Sequence, residues 1–400
     1  VGTGSVSGML AEMLAAGINN NTATIASSAL HVEEQVLEWF RSMLGLPAGS
    51  SGLLVSGGSV ANLIGIAVAR TAKAGVDTKR MGVRALPQNL VLYCSEETHN
   101  SVDKAASLLG LGTDWVRKVP TDDDFRIRVE ALEEAIRRDL EEGHRPFCIV
   151  GNAGTVGTGA TDDLSRLADV AERFGLWLHV DGAIGAVLAL SPALCPRVRG
   201  IERADSVAFD LHKWMYMPYA VGGVLVRDRE AHHRTFASSA SYLGQTERGP
   251  EADAHRFHEF GLELSRSFGA LKVWMLVKEH GVDRYTRLIE QNVGQAAYLA
   301  GLVEEHPELE LLAPAPLNIV CFRYRGAGIP EERLDAANRE ILTRLQERGI
   351  AVPSGTRVRG RFAIRTAITN HRSRRSDFDL LAESVVAIGR EVAAEVSGDI

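Results

Sequence analysis

Two short apolar runs, each ending on a charged side chain, constrain this chain more than any other feature. Residues 176–181 (Leu-Trp-Leu-His-Val-Asp) end on the carboxylate of Asp181 and lead into the small residues Gly182 and Ala183. Residues 206–210 (Ser-Val-Ala-Phe-Asp) follow the same plan and deliver Leu211, His212, Lys213 and Trp214. Runs of this length bounded by small residues read as buried strands that reach the carboxyl edge of a parallel sheet. Ligands of open α/β sheets collect just outside that edge. Asp181 and Lys213 therefore stand where a fixed acid and a fixed amine can face one ligand.

The rest of the chain supplies the sheet. Strand-like runs at 90–95, 147–150 and 222–226 alternate with helical patterns at 102–109, 129–142 and 164–175, which predicts βαβ units and a mainly parallel sheet. On the helix over 129–142, Glu133, Glu134, Arg137 and Arg138 mark a solvated face. Two amphipathic helices, at 8–17 and 31–44, come first, and a third, at 60–73, follows a glycine turn. Another covers 268–279 and stops at Gly281. Beyond Asp283 the texture changes: a long helix to about Glu305, strands near 309–312, 318–324 and 362–366, a helix over 331–348, and a last one from Arg375. The expected organisation is an N-terminal segment over 1–45, a large domain over 46–280 and a smaller α+β domain over 281–400.

Composition excludes several classes. A net charge of −7 argues against a general binder of nucleic acid or anionic membrane, and no apolar run approaches a membrane span. The four cysteines, Cys94, Cys148, Cys195 and Cys321, match no metal spacing and read as reduced thiols of a cytoplasmic protein. The chain opens at Val1 and runs through Gly2-Thr3-Gly4-Ser5 into a helical pattern, so a natural start is expected further upstream.

Four further stretches carry candidate chemistry. Gly57, Gly58 and Ser59 form a turn before a helix, where close backbone approach, free amides and a capping hydroxyl favour an anion such as phosphate. His99 sits at a strand-to-helix junction, where an imidazole can stack on a ring or shuttle a proton. The small-residue loop 151–163 offers the hydroxyl of Thr155. Residues 237–256 read as a long loop, a candidate lid, around Tyr242. One chemistry requires the Asp181–Lys213 combination: pyridoxal phosphate held as a Schiff base, with its pyridinium nitrogen paired to an acid.

Together these stretches resemble the group II pyridoxal-phosphate-dependent decarboxylases, the family of aromatic-amino-acid, histidine and glutamate decarboxylases. The resemblance rests most on Asp181-Gly182-Ala183 and on Asp210-Leu211-His212-Lys213-Trp214, and Thr369-Asn370-His371-Arg372 also looks like the family's small domain. It implies an α/β fold of type I, like aspartate aminotransferase: a mainly parallel central sheet with helices on both faces, plus the smaller C-terminal α+β domain. It implies that Lys213 forms the internal aldimine, Asp181 pairs with the ring nitrogen, Ala183 packs on one ring face and His99 stacks on the other. Gly57, Gly58 and Ser59, helped by His212, match the phosphate turn. Thr155 matches the threonine beside the cofactor, Asp210 adjoins it, and Tyr242 matches a lid tyrosine that protonates the quinonoid carbon. Family helices that precede the position of Val1 and intertwine in a dimer have no counterpart here. Asp210, Val60 and Gly269 depart from residues common in the family. The expected function is decarboxylation of an L-amino acid to its amine and CO2, an aromatic one favoured, by a homodimer with shared active sites, with no nucleic-acid or membrane partner and no metal. The alternatives are an aldehyde synthase, an aminotransferase-like activity on the same cofactor, and a catalytically dead family member.

Overall fold

The computed structural model describes residues 2–22, 27–238 and 256–398. The chain divides into two compact units. One holds the chain up to Ala153 with Thr161–Arg287, and the other holds Gly154–Ala160 with the chain from Leu288 onward.

The first unit begins with helices α1 (Val6–Ile18) and α2 (Ser28–Met43), strand β1 (Ser51–Val55), helix α3 (Gly58–Lys73) and the single-turn α4 (Thr78–Met81). Alternation follows: β2 (Leu90–Ser95), α5 (Ser101–Leu108), β3 (Val116–Val119), α6 (Val129–Glu141), β4 (Arg145–Asn152), α7 (Leu164–Phe174), β5 (Trp177–Asp181) and β6 (Ser206–Asp210). It closes with α8 (Leu211–Trp214), β7 (Gly222–Val226), α9 (Arg229–Phe236) and the start of α10 (Ala270–Glu305). Among the described residues these strands make a seven-stranded sheet in the order β1-β7-β6-β5-β4-β2-β3. Only β7 runs against the others, antiparallel to both β1 and β6. The expected mainly parallel sheet is therefore present.

Local chemistry explains the elements that position the site. Strands β2, β5, β6 and β7 are buried at every residue. That is why they read as near-continuous apolar runs rather than as alternating ones. Helix α7 starts where Asp163 accepts a hydrogen bond from the Arg166 amide and ends at Gly175, whose φ of 67° only glycine adopts freely. Two strands of this sheet escape a sequence reading. β1 merges into the glycine-rich stretch before α3. β3 is a four-residue edge strand of Val-Arg-Lys-Val, too short to show a period.

The second unit contains the end of α10, then β8 (Leu309–Leu311), β9 (Ile319–Tyr324), α11 (Glu331–Glu347), β10 (Ser354–Val358), β11 (Arg361–Ala367) and α12 (Arg375–Gly398). Its four-stranded sheet has the order β10-β11-β9-β8. Leu299, Val303, Phe322, Tyr324, Ile341 and Val385 form its core. The polar sequence of β10 hid that strand from a pattern reading, because it lies at the sheet edge and is mostly exposed. Helix α10 is interrupted at Gly281, with φ 70° and ψ 164°, where the sequence predicted one helix to stop and another to follow.

Candidate active site

β5 and β6 are adjacent and parallel, so the carboxyl ends of both open on the same edge of the sheet. Asp181 ends β5, and Lys213 lies in α8 directly after β6. Asp181 is buried and its carboxylate is held by two donors. Oδ2 accepts from the Asn62 side-chain amide at 2.8 Å and Oδ1 from the Ala183 backbone amide at 3.1 Å. The Lys213 ammonium pairs with Asp210 Oδ2 at 2.7 Å. Asp210 is itself buried, and its Oδ1 accepts no hydrogen bond among the described residues.

The glycine turn lies against this pair. A Cβ on Gly58 would sit 3.0 Å from Asp210 Oδ2 and 3.2 Å from the Ala183 Cβ, and one on Gly57 would sit 3.0 Å from the His212 ring. Only hydrogen side chains fit there. The sequence expectation that Ser59 caps the helix is corrected: α3 begins at Gly58, Gly57 is its N-cap, and no side chain caps it. A side chain at the cap position would strike His212, so the cap is a glycine. Ser59 is exposed in the first turn with an unengaged hydroxyl, beside amides that no acceptor occupies among the described residues.

His212 is buried, its Nδ1 2.8 Å from the Val221 carbonyl and 3.2 Å from the Val221 amide. Burial lowers its pKa, against the opposing pull of Asp210. His99 is half-buried, its Nδ1 2.9 Å from the Ser101 hydroxyl. Burial lowers its pKa too. The charges of Asp181, Lys213, Lys104 and Asp210 also act on it.

Thr155 belongs to the second unit, where its hydroxyl meets Thr158 Oγ1 at 3.1 Å and accepts from the Ala160 amide. The first unit does not bring it together with the others. Tyr242 lies outside the described residues. Three residues at this edge escaped the sequence reading: Asn62, His179 and Ser101. A polar side chain inside an apolar helix or strand is the signal for the first two, because a buried polar group must find partners. Asp139, Glu142 and His144 converge elsewhere in the unit, but Asp139 is already engaged by Arg117 and Tyr93.

A mixed sheet in this order, with an acid ending one strand and a lysine following the next, defines the fold type I pyridoxal-phosphate enzymes. The chain belongs to the pyridoxal-dependent decarboxylase family: residues 2–325 match the Pyridoxal-dependent decarboxylase conserved domain. It is 37% identical over 393 residues to the aromatic-L-amino-acid decarboxylase of Bacillus atrophaeus, covering 96% of this chain and 79% of that one. It is 31% identical over 374 residues to the 4-hydroxyphenylacetaldehyde synthase of Rhodiola rosea, covering 91% and 74%. Its fold is similar to Oryza sativa TDC with PLP and tryptamine, with a TM-score of 0.89, 27% identity, and 99% and 82% of the two chains covered. The chain is thus a pyridoxal-phosphate-dependent carboxy-lyase acting on amino acids.

Its residues fit that cofactor. Among the described residues the turn at Gly57–Ser59 leaves amides and a hydroxyl without partners, as a phosphate requires. Asp181 is a carboxylate already held by donors, and Lys213 supplies an amine at the same edge.

Proposed function

We propose that the protein converts an L-amino acid, an aromatic one in first place, to the corresponding amine and CO2. Lys213 binds the cofactor through its amine, and Asp181 holds a proton at the ring nitrogen. Gly57, Gly58 and Ser59 receive the phosphate with help from His212. Ala183 and His99 cover the two ring faces, and Asp210 keeps Lys213 oriented. The bound cofactor supplies an electron sink conjugated to the substrate's Cα. The observation that carries the reading is the juxtaposition of two buried acids, Asp181 and Asp210, with Lys213 at the ends of adjacent strands. An ionised acid beside the ring nitrogen favours its protonated form. Tyr242 delivers the proton to Cα after CO2 leaves.

The aromatic preference is supported by likeness to the Bacillus atrophaeus relative. A screen of the twenty amino acids for CO2 release, with amine quantified by chromatography, tests it. Release from an acidic or basic amino acid alone would overturn the aromatic assignment. A second reading, an aldehyde-forming activity, is favoured by likeness to the Rhodiola rosea synthase, and peroxide and ammonia in the same screen would establish it.

The working unit is a homodimer. Helix α1 leaves Val6, Met9, Leu10, Met13 and Leu14 exposed, an apolar face of the kind a second copy covers. Light scattering on the eluting peak gives the mass directly, and a fully active monomer would contradict this. The four cysteines are free thiols and three are buried, which supports a reducing, cytoplasmic setting. No helix among the described residues is long and apolar enough to cross a membrane.

A further inference from the structure

Behind the two residues assigned to the cofactor ring runs a buried hydrogen-bond chain whose direction can be read donor by donor. It starts at Trp177 on β5, whose indole can only donate and gives its hydrogen to Ser206 Oγ at 2.8 Å. Ser206 Oγ also lies 2.8 Å from His179 Nδ1, and since a hydroxyl oxygen can accept twice, the direction of this link is set from the Asn62 end. Asn62 Oδ1 can only accept, so Nε2, 3.0 Å from it, carries the single proton of His179 and Nδ1 takes the Ser206 hydrogen. Asn62 spends both hydrogens of its amide: one on Asp181 Oδ2 at 2.8 Å, the other on Ser101 Oγ at 2.9 Å. Ser101 in turn donates its hydroxyl to His99 Nδ1 at 2.9 Å, and its backbone amide points at the same nitrogen at 3.2 Å.

The orientation of Asn62 sets the directions of the chain. A flipped Asn62 would set its carbonyl oxygen against the Asp181 carboxylate and its amide against the Nε2 hydrogen. Two donors converging on His99 Nδ1 leave that nitrogen without a proton. Trp177, His179, Ser206, Asn62 and Ser101 are all at most 3% exposed, so bulk solvent does not reach these groups. Burial also holds His179 neutral, pushing its pKa down to about 4. Helix α3 is shaped to admit the chain: a Cβ on Gly65, one turn beyond Asn62, would lie 2.4 Å from the His179 ring.

We propose that Asn62 is the positioning residue of this active site, fixing at one point the ionised carboxylate of Asp181 and the Nε2–H tautomer of His99. The proposal rests on the reading that Asp181 and His99 hold the cofactor ring. Two branches leave one amide, so the orientations of the group at the ring nitrogen and the group over the ring face are set together. The remote end, Trp177 and Ser206, acts only through His179.

Nitrogen-15 spectra of the histidine-labelled holoenzyme test this, with His99 and His179 assigned from the signals lost in His99→Gln and His179→Gln. The expected result is both histidines protonated on Nε2. Asn62→Leu keeps the volume and removes the hydrogen bonds; His99 should become a mixture of tautomers, and cofactor affinity should fall about tenfold or more, as for loss of one hydrogen bond to a charged group. Ser101→Ala cuts only the His99 branch, so it should move the His99 signal with a smaller loss of affinity. Should Asn62→Leu fail to fold, which its thermal melt would report, Ser101→Ala still decides. A wild-type His99 protonated on Nδ1, or an unmoved His99 in both variants, overturns the proposal. Tautomers that shift as stated with cofactor affinity unchanged would uphold the hydrogen-bond chain and refute the placement of Asp181 and His99 at the ring. Borohydride trapping of the cofactor on Lys213 tests that placement's premise separately.

Discussion

The ion pair that anchors the front of the glycine turn should be worth far more than any surface pair. Glu33 on α2 and Arg266 are both buried and joined twice, Nη2 to Oε1 at 2.5 Å and Nη1 to Oε2 at 3.2 Å. Each also holds Leu54 of β1: Glu33 Oε1 accepts from its amide at 3.2 Å, and Arg266 Nη2 donates to its carbonyl at 2.9 Å. The guanidinium lies over the Phe257 ring, 5.0 Å from its centroid. Glu33→Gln keeps shape and one acceptor but leaves a buried cation uncompensated. Breaking a buried pair in this way costs about 3–5 kcal/mol, and the retained acceptor points to the lower figure. The double variant Glu33→Leu/Arg266→Met removes both charges and should cost at most about 1 kcal/mol, because apolar replacements of buried pairs are often neutral or better. Urea titration followed by tryptophan fluorescence is the assay. All five tryptophans, Trp39, Trp115, Trp177, Trp214 and Trp274, lie before residue 287, so the signal reports the first unit. The loss should persist in high salt, since a buried pair is poorly screened. A Glu33→Gln cost below about 1 kcal/mol, or a double variant as unstable as the sum of the singles, would refute the reasoning.

Four further outcomes are expected. Lys213→Ala should abolish the visible absorption of the bound cofactor and the decarboxylation; a borohydride-reducible adduct surviving in the variant would assign the cofactor to another lysine. Gly58→Ala places a methyl 3.0 Å from Asp210 Oδ2 and 3.2 Å from Ala183, so fluorescence titration should find cofactor affinity about tenfold weaker or worse, with the melt lowered by the 1–3 kcal/mol that overpacking costs. Tyr242→Phe should still consume substrate but release aldehyde, ammonia and peroxide in place of amine, since a positioned general acid contributes about 10²–10⁴-fold to its proton transfer; amine at the wild-type rate would reduce Tyr242 to a lid residue. Buried neutral His179 has its pKa lowered from 6.5 to about 4, so the unfolded chain binds a proton that the folded one refuses between those values. Its contribution is complete above about pH 6.5 and is lost as pH falls toward 4, so stability in His179→Gln should fall less steeply with acid over that window than in the wild type.

The placement of Asp181 and Lys213 at one sheet edge was legible because burial on both faces makes strands such as β5 and β6 continuous apolar words, and a charge ending such a word stands out. Asp181 and Lys213 needed no third dimension. Asn62 did: nothing in residues 60–65 says that one helix turn will face β5, and the hydrogen bonds to His179 and Asp181 join positions more than a hundred residues apart. The cap assigned to Ser59 failed for a related reason, since only the approach of His212 shows that the cap position must lack a side chain. Short polar edge strands such as β3 and β10 carry too few buried positions for any period to register.

The seven residues from Gly154 to Ala160 leave one unit and pack with the other before the chain returns. Cys321 Sγ lies 3.3 Å from the Gly157 carbonyl, and the Arg365 guanidinium donates to the carbonyls of Val156 and Gly157. During synthesis this segment emerges well over a hundred residues ahead of the partners it waits for. Assembly is therefore non-local and correspondingly slow. The same threading makes the smaller unit a poor module for transplantation. A gene fragment beginning at Leu288 would encode a sheet whose Arg365 has lost its two carbonyl acceptors, and recombination at that boundary would cut through a shared piece of architecture.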